Sequence, residues 1–437
     1  MKTRVWPSAK LSLAVIPVLI AALLLACAPG TGPAPSPSTG TSSVAPGAPT
    51  KAPGGTTSKP LAGAAPGAPG KLSGASVKIG HLIMLSGPMG MYGAMESDAI
   101  SLALEDINNS GGINGSPLEV VRYDTRGDPQ EAVGQFRKVV EQDRVAAVLG
   151  PFTSGEFEVT APLAVESKVP ALSIAGSPGI AANNRPWAFQ IHVPFAVLAP
   201  PTVDKFLKVY PNVKTMAIAG DTKYRASQNE VKQIYPQAFK ESGIRLVDTV
   251  EFDTATTDFS AIVTRIKGLD ADALFASGVP GPAFGLLKEL ERQGFKKPLL
   301  LSVMLGGGGG VIPLMGGYLD GAVISYWVDF SDKATQDWQS RWLSLVKADT
   351  RVPQKPLFAS TDLSVYNAMI ALAKVMREAK ITPDTPLQEA RAKTRDGLQS
   401  LTDFHGVGPK ITVLPSGEWT WATIPFIVEK GQPVALR

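Results

Sequence analysis

Cysteine occurs once in these 437 residues, at Cys27, and histidine three times, at His81, His192 and His405. A lone cysteine excludes a disulfide framework, and the absence of Cys-x-x-Cys or His-Glu-x-x-His spacing removes the usual zinc sites. No Walker-type phosphate loop is present, and Gly87, Gly90 and Gly93 lack the spacing of a dinucleotide fingerprint. Charge is scarce too, with Asp, Glu, Lys and Arg making up 18% of the chain. Three of the 42 bases, Lys2, Arg4 and Lys10, fall in the first 26 residues, leaving 39 bases against 38 acids beyond them. A body so close to neutrality carries no electrostatic footprint for nucleic acid. No nucleic acid, metal or cofactor is therefore expected. Past Cys27 there is also no apolar run of about 18 residues, the length that spans a bilayer.

What is present begins with a leader. Residues 1–26 pass from a basic start through an apolar stretch, Leu11–Leu25, to the small residue Ala26. That is the layout of a signal peptide, and its apolar run is short of the ~20 residues of a membrane span. Leu24-Leu25-Ala26-Cys27 resembles the bacterial lipobox. The resemblance implies removal of residues 1–26 and a thioether-linked lipid on Cys27, a stable anchor once two or more acyl chains are carried. From Ala28 to Ala75 nearly every residue is Ala, Gly, Pro, Ser or Thr. Such a tract buries too little apolar surface to offset the entropy of ordering it, so residues 27–75 are expected to form a disordered tether. As a coil it would span about 40 Å root-mean-square. The expected location is the cell membrane, lipid-anchored, facing the periplasm or cell exterior.

Beyond Ser76 short apolar runs alternate with amphipathic stretches. Strands are expected at Val77–Ile83, Leu118–Tyr123, Val145–Leu149 and Val169–Ile174, with helices at 95–109, 128–141 and 155–167 between them. A second series has strands near 215–219, 245–252, 273–276 and 298–303, and helices near 226–242, 258–268 and 282–293. Strands alternating with helices imply mainly parallel sheets covered on both faces, here in two α/β lobes. Ligands of such sheets bind at the carboxyl ends of the strands. The loops to inspect are therefore 86–93, 150–155, 174–179 and 221–226, all rich in Gly, Ser, Thr or Tyr.

The order of these features resembles the leucine/isoleucine/valine-binding type of periplasmic substrate-binding protein, from Val77 to about Leu436. The resemblance rests on Leu85-Ser86-Gly87-Pro88 before Tyr92-Gly93, and on Asp106-Ile107-Asn108 leading to Gly111-Gly112-Ile113-Asn114-Gly115. It continues in Asp124 and Asp128-Pro129, Val148-Leu149-Gly150-Pro151 with Thr153-Ser154, Val169-Pro170 before Ser173, and Asp258-Phe259-Ser260. It implies an α/β, two-lobed periplasmic-binding-protein (Venus-flytrap) fold, each lobe a mainly parallel sheet flanked by helices, with three crossing segments. Lobe 1 would comprise residues 76–193 plus 330–410, and lobe 2 residues 194–329 plus 411–437. The implied role is that of a monomer capturing a small molecule in the inter-lobe cleft and delivering it to the permease subunits of an ABC importer.

The family's contact residues carry over to part of this chain. Ser154 takes the place of the serine that holds the ligand carboxylate at a helix N-terminus. Ala175 and Ser177 match positions whose backbone and hydroxyl hold the carboxylate and ammonium, Tyr92 an aromatic flanking the ligand side chain, and Tyr224 the closing-lobe tyrosine. The acid that pairs with an α-ammonium should fall near Met304, where the sequence reads Val303-Met304-Leu305 and then Gly306–Gly310. A second tyrosine is replaced near Gly278-Val279-Pro280, and Gly127 and Thr153 stand where some relatives carry a cysteine bridge. A buried ammonium without an anion costs several kcal/mol. The expected ligand is therefore amino-acid-like in its carboxylate half only: an aliphatic or aromatic carboxylate, an amide or a urea-like molecule. Glu156 or Asp221 could supply a replacement anion and restore amino-acid binding.

Two other functions compete. Ala175-Gly176-Ser177-Pro178-Gly179 half-resembles a nucleophile elbow but lacks its first glycine, and a hydrolase would need a histidine brought to Ser177; no enzyme is expected. A ligand-binding sensor without a transport role is the other alternative, though sensors of this fold usually carry a spanning helix. Trp338 and Trp342, four apart in a helix at 333–349, should face the first lobe. Trp419, Trp421, Ile424 and Phe426 alternate as in one strand.

Overall fold

The computed structural model describes residues 72, 74–87, 89–306, 311–326, 328, 332–352 and 361–436. The leader, Cys27, the tether as far as Lys71, and Gly307–Gly310 lie outside these residues.

The first sheet holds β1 (Val77–Ile83), β2 (Leu118–Asp124), β3 (Ala147–Leu149), β4 (Ala171–Ser173) and β5 (Ala188–Gln190). Their order is β2-β1-β3-β4-β5, and every pairing is parallel. The inner strands are buried on both faces, which is why they read as apolar runs rather than as an alternation. Between them lie α1 (Gly90–Asn109), α2 (Pro129–Glu141), α3 (Ser154–Ser167) and the single turn α4 (Ile180–Asn183). Local chemistry sets their starts. Asp128 caps α2 by accepting the N–H groups of Gln130 at 2.8 Å and Glu131 at 2.9 Å, with Pro129 at the first helical position. Thr153 and Glu156 form a reciprocal capping box on α3.

The second lobe repeats this plan. After α5 (Phe195–Val209) come β6 (Thr215–Asp221), α6 (Arg225–Asn229), a π-helical turn at Glu230–Ile234, and α7 (Tyr235–Glu241). Strands β7 (Arg245–Phe252), β8 (Ala273–Ser277), β9 (Leu299–Leu301) and β10 (Val323–Ile324) follow. The small pair β11 (Thr412–Val413) and β12 (Trp419–Thr420) precedes β13 (Phe426–Glu429) and β14 (Gln432–Ala435). The sheet order is β14-β13-β10-β9-β8-β6-β7. Its parallel core, read from β7 to β10, has the same winding as the first sheet, with β13 and β14 added antiparallel at one edge.

The chain passes between the sheets after β5, after β10 and before β13. The late helices return to the first lobe. Arg341 grips Asp106 of α1 through two bonds of 3.0 and 2.7 Å, Tyr366 donates to the same carboxylate at 2.7 Å, and Trp342 Nε1 donates to the Met95 carbonyl at 3.2 Å. Trp338 and Trp342 are fully buried and stacked, as their spacing suggested. Arg391, also buried, donates to the carbonyls of Val140, Val145 and Ser167, closing the C-terminal ends of α2 and α3.

Three elements differ from the sequence reading. Helix α1 starts at Gly90, five residues before the expected Met95. The single helix expected over 226–242 is interrupted by the π turn. The expected C-terminal strand is cut in two: β12 pairs with β11, and Phe426 opens β13 on the second sheet. Gln190 N donates to Gly417 O at 3.1 Å and Val413 N to Leu401 O at 2.9 Å, so residues 411–420 lie on the first lobe. The chain joins the second sheet only at Phe426, not at Ile411, because the segment between is itself a crossing.

Candidate functional site

All four of the suspected loops deliver residues to one cavity of about 90 Å³. Met89 and Tyr92 come from the first, Phe152 and Ser154 from the second, Ile174 and Gly176 from the third, and Tyr224 and Ala226 from the fourth. At roughly 10–15 Å³ per water, the cavity has room for about six to nine waters, or for a compact organic molecule of about as many heavy atoms.

Ser154 stands at the first helical position of α3. Glu156 accepts the Thr153 N–H at 3.0 Å and the Thr153 hydroxyl at 2.7 Å. The Ser154 and Gly155 N–H groups remain, since a helix cannot satisfy its own first donors. The Ser154 Oγ accepts the Ser177 N–H at 3.2 Å. Tyr224 is presented by a turn in which Asp221 accepts the N–H groups of Lys223 at 2.8 Å and Tyr224 at 3.2 Å, while its other oxygen accepts the Thr254 hydroxyl at 2.6 Å. Burial first, and nearby acids second, raise the phenols of Tyr92 and Tyr224, so both stay protonated and able to donate.

Ala175 and Ser177 stand elsewhere. Gln190, the last residue of β5, donates to the carbonyls of Ala175 at 2.7 Å and Ser177 at 2.8 Å while accepting the Ala181 N–H at 2.9 Å. The Ala175 N–H is bonded to Ser173 Oγ at 3.1 Å. The Ser177 hydroxyl accepts from Asn229 Nδ2 of the second lobe at 2.9 Å. The side chains of Ala175 and Ser177 do not line the cavity. The structure therefore brings Tyr92, Ser154 and Tyr224 together and uses the other two to hold a loop. Glu156 and Asp221 do not line it either; one Glu156 oxygen accepts from Thr153, and Asp221 accepts from its own turn and from Thr254.

Of the remaining wall residues, His192, Phe195 and Thr361 escaped the sequence reading, whereas Pro280 and Met304 stand in the stretches where the resemblance puts a tyrosine and an acid. The crossing after β5 contributes His192 and Phe195, whose rings meet edge to face at 5.3 Å. Burial pushes the His192 imidazole down to about 4, so it is neutral. No local signal in the sequence separates a strand histidine from one on a crossing. Pro280, Val303 and Met304 close the second-lobe side, and Thr361 reaches in from the late helices. Phe152, inside the 150–155 loop, adds a ring without a hydrogen-bonding group.

Among the described residues the wall carries no Asp, Glu, Lys or Arg. It offers five aromatic rings, two thioethers, and a few hydroxyls near a helix start. That surface accepts an apolar or aromatic body and can hold an oxygen-bearing head group, but gives an ammonium no counter-charge. Catalysis at Ser177 has no support, since its hydroxyl is held by Asn229 and not by a histidine. His81 is buried between Glu96, at 3.4 Å, and Arg122, at 3.3 Å, and burial followed by the Arg122 charge lowers its pKa.

Two parallel α/β lobes around a neutral cavity at the carboxyl ends of their strands define a ligand-binding architecture. Residues 76–420 match the periplasmic binding protein family, to which this chain belongs, a family of binding proteins rather than enzymes. One relative, Leu/Ile/Val-binding protein homolog 7 of Brucella suis biovar 1, is 26% identical over 246 residues, 54% of this chain and 59% of the relative. The match thus spans less than two thirds of that relative's length. A branched-chain amino acid transporter substrate binding protein from Streptococcus pneumoniae, in complex with isoleucine, superposes with a TM-score of 0.70 at 21% identity, over 82% of this chain and 98% of that one. A solute binding protein of an R. palustris ABC transporter, in complex with 4-hydroxybenzoate, has a TM-score of 0.69 at 18% identity, over 82% and 95%. At these identities the likeness is one of fold. Among the described residues no helix is long and apolar enough to cross a membrane.

Proposed function

We propose that this protein is the lipid-anchored, extracytoplasmic substrate-binding component of an ABC importer, and that it captures a small carboxylate or amide with an aromatic body. The observation that carries this reading is a wall with five rings and no acid, and Met304 where a counter-charge for an ammonium would stand. Ser154 and the first N–H groups of α3 supply donors for a carboxylate or amide oxygen, and the helix dipole favours such a head group. Tyr92 and Tyr224 flank the body from opposite lobes. A molecule touching both lobes stabilises their closed arrangement, which is the state a permease would read. Anchoring is proposed through Cys27, with residues 28–75 as the tether.

Thermal unfolding and calorimetry of the purified protein test the ligand. Benzoate, 4-hydroxybenzoate or benzamide should raise the melting temperature, by about 2.7 kcal/mol of stabilisation at a hundredfold excess over Kd, and L-leucine should not. Tight L-leucine binding with no response to the aromatic series would sink the reading. Ser154→Ala should weaken whichever carboxylate scores. Metabolic labelling with palmitate should mark the protein and fail for Cys27→Ser. Uptake of the scoring ligand should be lost on deleting the gene.

A further inference from the structure

Beneath the second-lobe wall lies a carboxyl group that the ligand reading does not use. Ala226 lines the cavity, and Glu230 follows one turn later, in the π-helical turn, 1% exposed. Among the described residues no base is bonded to it. Its Oε2 accepts the hydroxyls of Ser277, at the end of β8, and Ser302, just past β9, each at 2.6 Å. The Ser302 Oγ in turn accepts the Met304 N–H at 3.1 Å. The Ser277 hydroxyl lies 2.9 Å from that of Ser227 on α6. One carboxyl group thus ties together three segments whose next residues form the wall: α6 with Ala226, the end of β8 leading to Pro280, and the turn bearing Val303 and Met304.

We propose that Glu230 is a positioning residue that sets the second-lobe wall of the cavity, and so the ligands it admits, by fixing the Val303–Met304 turn from beneath. A buried acid without a base is expensive, and an apolar residue would fill the same space without that cost. Burial pushes the carboxyl up to about 7 against the two seryl donors. What the carboxyl provides is short hydrogen bonds to two strand ends at once, which aliphatic packing cannot. Single π turns inside helices occur frequently at functional sites.

The proposal rests on the reading of this cavity as the ligand site, but its main test needs no ligand. In methyl-labelled methionine spectra of the free protein, the Met304 resonance is assigned with Met304→Leu. Glu230→Ala and Ser302→Ala should both displace it, Ser277→Ala should displace it less, and Glu230→Gln, which keeps an acceptor of the same size, should leave it near its original position. For whichever ligands score, Glu230→Ala should change the ratio of Kd values for benzoate and 4-hydroxybenzoate by about tenfold, and Glu230→Gln by less than about threefold. A folded Glu230→Ala or Ser302→Ala protein with an unmoved Met304 resonance overturns the proposal. If Glu230→Ala does not fold, Ser302→Ala decides alone. If no benzoate binds, the ligand reading fails while the methyl shifts still decide the role of Glu230.

Discussion

Asn229 Nδ2 donates to Ser177 Oγ at 2.9 Å, a buried bond that links the lobes beside the cavity. Both residues are buried, and the Ser177 N–H is already committed to Ser154 on the cavity wall. A path of two hydrogen bonds therefore leads from the ligand-facing Ser154 to the second lobe. The neighbouring Arg225–Glu158 pair, at 2.8 Å, also crosses the cleft but is half-exposed, and such pairs contribute about 0–1 kcal/mol.

Ser177→Ala should therefore loosen lobe closure. It leaves the Asn229 amide buried without its acceptor, a cost of about 1–3 kcal/mol to the closed arrangement. Nitroxides on Gln130→Cys and Lys240→Cys, one exposed site per lobe, in a Cys27→Ser background, report the separation by double electron–electron resonance. Ser177→Ala and Asn229→Ala should each shift the distribution to longer distances, with the double variant shifted less than their sum. Arg225→Ala should change it little. Unchanged distances in both single variants would show that the bond does not hold the lobes.

Met304→Glu should exchange one ligand class for another. The substitution places a carboxylate on the cavity wall, where the family resemblance puts the partner of an α-ammonium. L-leucine should gain at least about tenfold in affinity, on the order of 1.4 kcal/mol, while benzoate weakens through like-charge repulsion. Calorimetry on both proteins decides it, and a variant that binds benzoate more tightly than the parent contradicts the assignment of this wall.

Glu230 should imprint a pH dependence on stability. Its folded pKa, about 7, lies above the ordinary 4.5, so the native state holds a proton that the unfolded chain releases. The contribution is fully present below pH about 4.5 and is lost as pH rises through about 7. Relative to Glu230→Gln, the parent should thus lose on the order of 3 kcal/mol between pH 4.5 and 8. Urea unfolding of both proteins across that range measures the difference. Parallel stability curves would show that the carboxyl is not perturbed.

Much of the architecture could be read locally. The apolar run at Val77–Ile83 became a strand with the expected bounds, because a strand between two helical layers is buried on both faces, and Arg245–Phe252 became the half-exposed edge strand β7. Asp128-Pro129 announced the start of α2, since a cap needs only its own next three residues. The four Gly- and Ser-rich loops also met at one cavity, as strand-end geometry requires.

Roles that depend on a distant partner were not legible. A serine hydroxyl near a strand end can face a ligand or the protein, and only the position of Asn229, 52 residues on, commits Ser177 to the second. His192, Phe195 and Thr361 come to one wall from segments up to 169 residues apart in the chain, by way of crossings that no periodicity marks. From the sequence alone came the layered α/β plan, the lipobox-like leader and the missing acid near Met304, because each is a matter of neighbours in the chain. The tertiary structure decided which side chains share the cavity, and that Glu230 lies beneath it, because those relations arise only when separate segments are brought together.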